Sequence, residues 1–140
     1  MAELHHRHAS DKVICDEVHA AVGAVTLVAM GPLTNIAAAV QRDPSLYAKI
    51  GHLVVVGGTF GGPGSITAAA EFNMYANPLA AQLIFRLPIT MTVVPLDVTS
   101  QLVMTFDQFD ELPRETTRKG ALLRRILPYS FRSHRQHLGL

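Results

Sequence analysis

Glu71 and Asn73 stand two positions apart in AEFNMYANPLAA, a segment otherwise rich in small and apolar residues. A carboxylate and an amide so placed can accept from and donate to the neighbouring hydroxyls of a polyol. The same side chains can instead serve their own backbone, Glu71 by capping an amide and Asn73 by stabilising a turn. Type and spacing leave both readings open.

Other chemistry-bearing residues form no comparable group. Ser65 lies in PGSIT rather than G-x-S-x-G, with no histidine and acidic orienter beside it in sequence, which argues against a serine hydrolase. Glycines 57, 58, 61, 62 and 64 do not make G-x-G-x-x-G, because Thr67 stands three beyond Gly64, and no Gly-Lys-Ser/Thr run follows for a phosphate loop. His134 and His137 in SHRQH lack the glutamate of a zinc protease motif, so a solvated terminal helix is expected there. His5, His6 and His8 fall in a polar amino-terminal segment, residues 1–10, expected to be flexible rather than a transition-metal site. Cys15 is the single cysteine; it allows no intrachain disulfide and is expected to be buried on an apolar helical face.

The elements that must position Glu71 and Asn73 follow from periodicity. Val13, Ile14, Val18 and Ala21 recur at helical spacing over Asp11 to Val22, and Gly23 ends the pattern. AVTLVAM, Ala24 to Met30, is a near-continuous apolar run, expected to be a strand buried on both faces, and Gly31-Pro32 stops it. A helix from about Leu33 to Arg42 ends at Asp43-Pro44, and a short helical turn over Ser45 to Ile50 precedes a second strand, HLVVVGG. The glycine-rich loop TFGGPGSITAAA leads to the Glu71 segment, after which Asn77 and Pro78 supply an N-cap and first-turn residue for a helix through Phe85. A third strand, ITMTVVPL, follows. Beyond Thr99 the chain is more charged and helical, with Pro113 and Pro128 expected to break it.

Apolar strands alternating with helices imply an α/β fold: an open, mostly parallel, Rossmann-like sheet with helices on both faces. Ligands of such sheets bind beyond the carboxyl ends of the strands, here at MGPLTN, GGTFGGPGSITAAAEFN and PLDVT. The 140 residues and 49% hydrophobic content suit one domain with a sizeable core. A formal charge of +1 with 16% charged residues gives no basic stripe, so no nucleic-acid partner is expected. There is no secretory signal pattern and no apolar run long enough to span a bilayer, so a cytoplasmic protein without a membrane partner is expected.

VTLVAMGPLTNIAAAV, HLVVVGG, GSITAAAEFNMYANPLAA and ITMTVVPLDVT resemble, in order and spacing, the central part of the nucleoside hydrolases of the inosine–uridine preferring family, over about Lys12 to Thr105. The resemblance implies hydrolysis of the N-glycosidic bond of ribonucleosides to base and ribose, with a calcium ion that binds ribose hydroxyls and the attacking water. It makes Glu71 and Asn73 ribose-binding residues, Val56 a pocket-lining position, Ser65 the place of a sugar-contacting asparagine, and the carbonyl of Met30 a calcium ligand. Asn77 and Leu79 replace the aspartate and glutamate of the family's DPEAA.

No aspartate-rich segment of the form DTDPGIDD and no His-Asp dipeptide occurs, so the resemblance implies a partial domain, residues 11–140 and mostly helical over 105–140, with no catalytic residue of its own and an incomplete calcium site. The alternative is a noncatalytic α/β protein that pairs with itself, as a homo-oligomer, or with another chain to cover exposed sheet edges.

Overall fold

A computed structural model describes residues 9–103, 105–111 and 117–138. The expectations for His5, His6, His8 and Pro113 lie outside the described residues, as do the side chains of His134 and His137. The chain divides into two compact units between Gln101 and Leu102.

In the first unit, helix α1 (Ser10–Ala20) leads to strand β1 (Thr26–Ala29), helix α2 (Thr34–Arg42), a 3₁₀ turn (Leu46–Lys49) and strand β2 (His52–Val56). Helices α3 (Phe72–Ala76) and α4 (Pro78–Phe85), strand β3 (Met91–Val94) and helix α5 (Leu96–Thr99) complete it. The strands form one parallel sheet in the order β1-β2-β3, with Leu27 beside Leu53 and Leu53 beside Met91. The fold is the expected α/β arrangement around an open parallel sheet. Parallel pairing puts the carboxyl ends of all three strands along one edge, which gathers Met30, the glycine segment after Val56 and the Leu96-Asp97 turn on one side of the unit.

The core lies on one face of the sheet. Ala29, Leu53 and Val55 pack with Cys15 and Val18 of α1, with Ile36, Ala37, Ala39 and Val40 of α2, and with Ala80, Ala81 and Ile84 of α4. The alanines let the helices approach closely, and the i, i+3, i+4 spacing within α2 turns its apolar stripe onto the strands. Cys15 is buried as expected, its thiol donating to the Ala39 carbonyl at 3.6 Å.

The other strand face corrects the expectation for AVTLVAM. Thr26 is exposed and Val28 is 55% exposed, so β1 is covered on one side only. An apolar run reports that both faces tolerate burial; it does not supply the element that covers the second. His52 and Thr92 bond across this open face at 2.9 Å, which satisfies two polar side chains there.

Chain reversals are held locally. Gly23 takes a positive φ of 73° after α1, as a terminating glycine should, and its N–H donates to the Lys49 carbonyl at 2.7 Å. Asp43, at the end of α2, accepts from the backbone and hydroxyl of Ser45, from His19 and from Lys49, tying α1 to the 3₁₀ turn.

In the second unit, helix α6 (Phe106–Asp110) begins in a capping box between Thr105 and Gln108. Helix α7 (Arg118–Leu138) follows, and Phe131 stacks on Phe106 at 4.8 Å between ring centroids and meets Phe109 edge-on at 6.0 Å. Pro128 was expected to break this region, but it lies inside α7. It removes one backbone donor, a loss that the remaining bonds of a 21-residue helix and the Phe131 contacts outweigh. No described helix is long and apolar enough to cross a membrane.

One-sided burial has a measurable consequence. Leu53→Ala, at a fully buried position, should lower unfolding free energy by about 2–5 kcal/mol. Val28→Thr on the open face should change it by no more than about 0.5 kcal/mol. Urea denaturation of the two variants checks the contrast.

Candidate functional site

Three of the expected site residues owe their positions to backbone hydrogen bonds at the end of β2. Glu71 is the N-cap of α3: its Oε2 accepts from Asn73 N at 2.9 Å and Met74 N at 3.3 Å. The same oxygen accepts from Gly58 N at 2.9 Å, which joins the start of α3 to the turn leaving β2. Asn73 donates through Nδ2 to the Val56 carbonyl at 2.9 Å. Ser65 reaches the same helix start, its hydroxyl accepting from Phe72 N at 3.0 Å. Glu71, Asn73, Ser65 and Val56 therefore belong to one hydrogen-bonded cluster at the carboxyl end of the central strand.

The sequence pattern did not show that residues 72–76 form a helix, and this decides how the pair is oriented. Once Oε2 of Glu71 and Nδ2 of Asn73 are engaged, Oε1 of Glu71 and Oδ1 of Asn73 make no bond among the described residues. Both side chains are half-buried, so two fixed acceptors remain at a strand end. Gly57 makes the approach feasible: a Cβ there would come within 2.9 Å of Glu71 Oε2 and 2.8 Å of Met74 Cε, and its φ is 153°.

Met30 is not part of this cluster. Its side chain is 79% exposed and borders a groove of about 340 Å³ with Val28, Gly31, Pro32 and Asn35 at the end of β1. Asn77, which follows α3, reaches the start of α2. Its Oδ1 caps α4 by accepting from Ala80 N at 3.0 Å, while its Nδ2 donates to Thr34 Oγ1 at 3.1 Å at the start of α2. The cap expected of Asn77 is thus present, and an amide makes both bonds at once.

The donor set around Met30 does not fit calcium. That ion takes six to eight oxygens, carboxylates prominent among them. The groove offers backbone carbonyls and the Asn35 amide, with no carboxylate in its lining. Among the described residues no group of three His, Cys, Asp or Glu side chains is placed to hold a metal.

Asp97, in PLDVT, was not singled out as a residue. Its Oδ1 accepts from Gly61 N and Gly62 N, each at 2.8 Å, and its Oδ2 accepts from Phe60 N at 2.8 Å and Thr59 Oγ1 at 3.1 Å. The Phe60 and Gly61 amides, with smaller help from the Thr59 hydroxyl, hold its carboxyl well below the usual carboxylate range against an opposing desolvation. The signal available in sequence was the pairing of an aspartate at one strand end with a glycine-rich loop at the next.

Comparison with known proteins gives the chain a family. The family profile described as inosine-uridine preferring nucleoside hydrolase matches residues 2–139. The chain belongs to that family. The match extends well beyond the 12–105 span of the sequence resemblance and takes in both units. The pyrimidine-specific ribonucleoside hydrolase RihB of Escherichia coli is 36% identical over 129 residues, 92% of this chain and 41% of that protein. A solved plant nucleoside hydrolase superposes with a TM-score of 0.86 at 33% identity, over 94% of this chain and 41% of that one. A purine-preferring ribonucleoside hydrolase from Gardnerella vaginalis gives the same TM-score at 28% identity, over 94% of this chain and 42% of that one. The chain spans about half the length, or less, of the curated relatives it matches, 53% of one from Shigella boydii and 41% of the E. coli protein.

Two outcomes follow from the cluster. Gly57→Ala should displace Glu71 and Met74 and destabilise the chain by more than about 1 kcal/mol, with the amide resonances of Gly58 and Asn73 moving in proton–nitrogen spectra. For Asp97 the folded-state value is depressed, so its contribution is complete above the unfolded value of about 3.9 and fades as pH falls through the folded one. The Phe60, Gly61 and Gly62 amide shifts should hold steady from pH 7 to about 4 and move only in stronger acid.

Proposed function

We propose that this chain carries the ribose-recognising wall of a ribonucleoside N-glycosidase. The observation that supports the reading is the pair of uncommitted acceptors, Glu71 Oε1 and Asn73 Oδ1, each fixed by a bond from its sister atom to the backbone at the end of β2. Vicinal sugar hydroxyls donate to such acceptors, and acceptors already oriented bind with less loss of side-chain freedom. The Val56 carbonyl anchors Asn73, and Ser65 acts on the sugar indirectly, by holding the start of α3. Family membership favours this over a noncatalytic pairing module.

Bond cleavage requires groups beyond these. Departure of the base leaves an oxocarbenium-like sugar and needs an activated water. In the family as it is read from the sequence resemblance, a calcium ion supplies that activation, and the described residues offer it no carboxylate at Met30. The role assigned to this chain is therefore to bind and orient the ribose. Calcium held by an assembly containing it would draw its carboxylates from other segments.

Titration of the nitrogen-15-labelled chain with uridine and inosine tests the reading. Both should shift the Asn73 side-chain amide and the Val56 and Glu71 backbone amides, with affinity in the millimolar range, whereas 2′-deoxyuridine should bind more weakly. Asn73→Ala should abolish the effect. The isolated chain should bind calcium no more tightly than about millimolar and release no ribose from either nucleoside; calcium-dependent ribose release would overturn that part of the reading.

A further inference from the structure

Glu71 is held by the turn that leaves β2, and that turn is itself held from the opposite side. Gly57 N donates to the Val94 carbonyl at 3.0 Å, and Leu96 N donates to the Gly58 carbonyl at 2.8 Å. One residue further on, the Asp97 carboxylate closes the rest of the turn with the Phe60, Gly61 and Gly62 amides and the Thr59 hydroxyl. Gly58 faces both ways: its carbonyl is bound by Leu96 and its N–H by Glu71 Oε2. Gly57 and Gly58 adopt φ values of 153° and 75°, which glycine reaches without the steric cost a side chain would incur.

We propose that Asp97 is a positioning residue of the sugar wall: by clamping residues 59–62 it fixes Gly58, and through Gly58 it fixes Glu71 with one carboxylate oxygen directed to the backbone and the other left for substrate. The inference rests on the reading of Glu71 as a sugar-binding residue, but the coupling from Asp97 to Glu71 is independent of any ligand. The bonds of Asp97 and those of Glu71 share no donor, so a purely local role in the loop would leave the amides held by Glu71 unchanged. Both Asp97 oxygens accept bonds, so its replacement by the isosteric amide turns a donor toward at least one N–H or hydroxyl whichever way the amide lies.

The experiment compares amide hydrogen exchange in the full chain and in Asp97→Asn. Faster exchange is expected at Phe60, Gly61 and Gly62, and also, by about tenfold, at Gly58, Asn73 and Met74, with the Leu53 and Val55 amides of the core as an unchanged control. Acceleration confined to 60–62 overturns the proposal. Thr59→Val, which removes the hydroxyl whose proton Asp97 shares with the Gly62 carbonyl, should give the same pattern at smaller amplitude and decides the matter by the same criterion where Asp97→Asn fails to fold. Uridine titration of the same samples separates the two readings. Failure of uridine to bind the unaltered chain removes the substrate reading and leaves the exchange result to judge the coupling. Equal uridine affinity in the unaltered chain and Asp97→Asn overturns the positioning role.

Discussion

Backbone N–H groups leaving the end of a parallel strand must find acceptors, and most of this site's design answers that demand. Gly57 still pairs with Val94 of β3, but from Gly58 to Gly62 the segment turns away and its amides find no strand partner. Two carboxylates from later in the chain take them instead, Glu71 for Gly58 and the first turn of α3, Asp97 for Phe60, Gly61 and Gly62. Ionised carboxylates accept several such bonds and hold them more strongly than neutral groups do. The order of the loop, the start of α3 and the orientation of the candidate sugar ligands all descend from this arrangement.

The sheet presents the site but contributes little chemistry itself. Helices α1, α2 and α4 cover one face, and their alanines bring the backbones close enough to bury Leu53, Val55 and Ile84 fully. The opposite face carries Val28 and the His52–Thr92 pair in the open. The candidate site needs only the first of these layers, because Glu71, Asn73 and Asp97 bond to strand ends and turns, not to the sheet faces. The elements that fix this edge are all local to the three strands and their connections.

Much of this was legible in the residues. Apolar runs bounded by glycine and proline gave β1, β2 and β3, helical spacing gave α1 and α2, and Asn77-Pro78 gave the start of α4 with the cap in place. Family blocks drew attention to Glu71, Asn73, Ser65 and Val56, which the structure brings into one bonded cluster. Helix α3 was hidden because five residues carry less than two turns of periodicity and its cap is a glutamate, whereas Ser, Thr, Asp and Asn are the usual N-caps. Asp97 was hidden because most of its partners are backbone amides of residues 60–62, which the sequence marks only by the glycine content of that loop. Pro128 was misread because proline's cost to a helix is local, while the stability of α7 is spread along its length and its aromatic contacts.

The capping and sugar-binding readings of Glu71 and Asn73, which look like alternatives in the sequence, are compatible, because they call on different atoms of each side chain. Position 71 faces three N–H groups, so its inward atom must accept; only a carboxylate can then also offer an acceptor outward, since glutamine would turn its donor one way or the other. Position 73 faces the Val56 carbonyl, so its inward atom must donate; an amide does that and still presents an acceptor outward, which an aspartate would achieve only by setting a carboxylate against a carbonyl. The backbone at the end of β2 thus dictates Glu at one place and Asn at the other if both are to show acceptors to a ligand. Capping alone would have been met at position 71 by a shorter side chain; the bond from Gly58 across the turn asks in addition for the length of glutamate or glutamine. The particular pair of types is what two outward acceptors require, and it is for this reason that the capping bonds support the sugar-wall reading and do not compete with it.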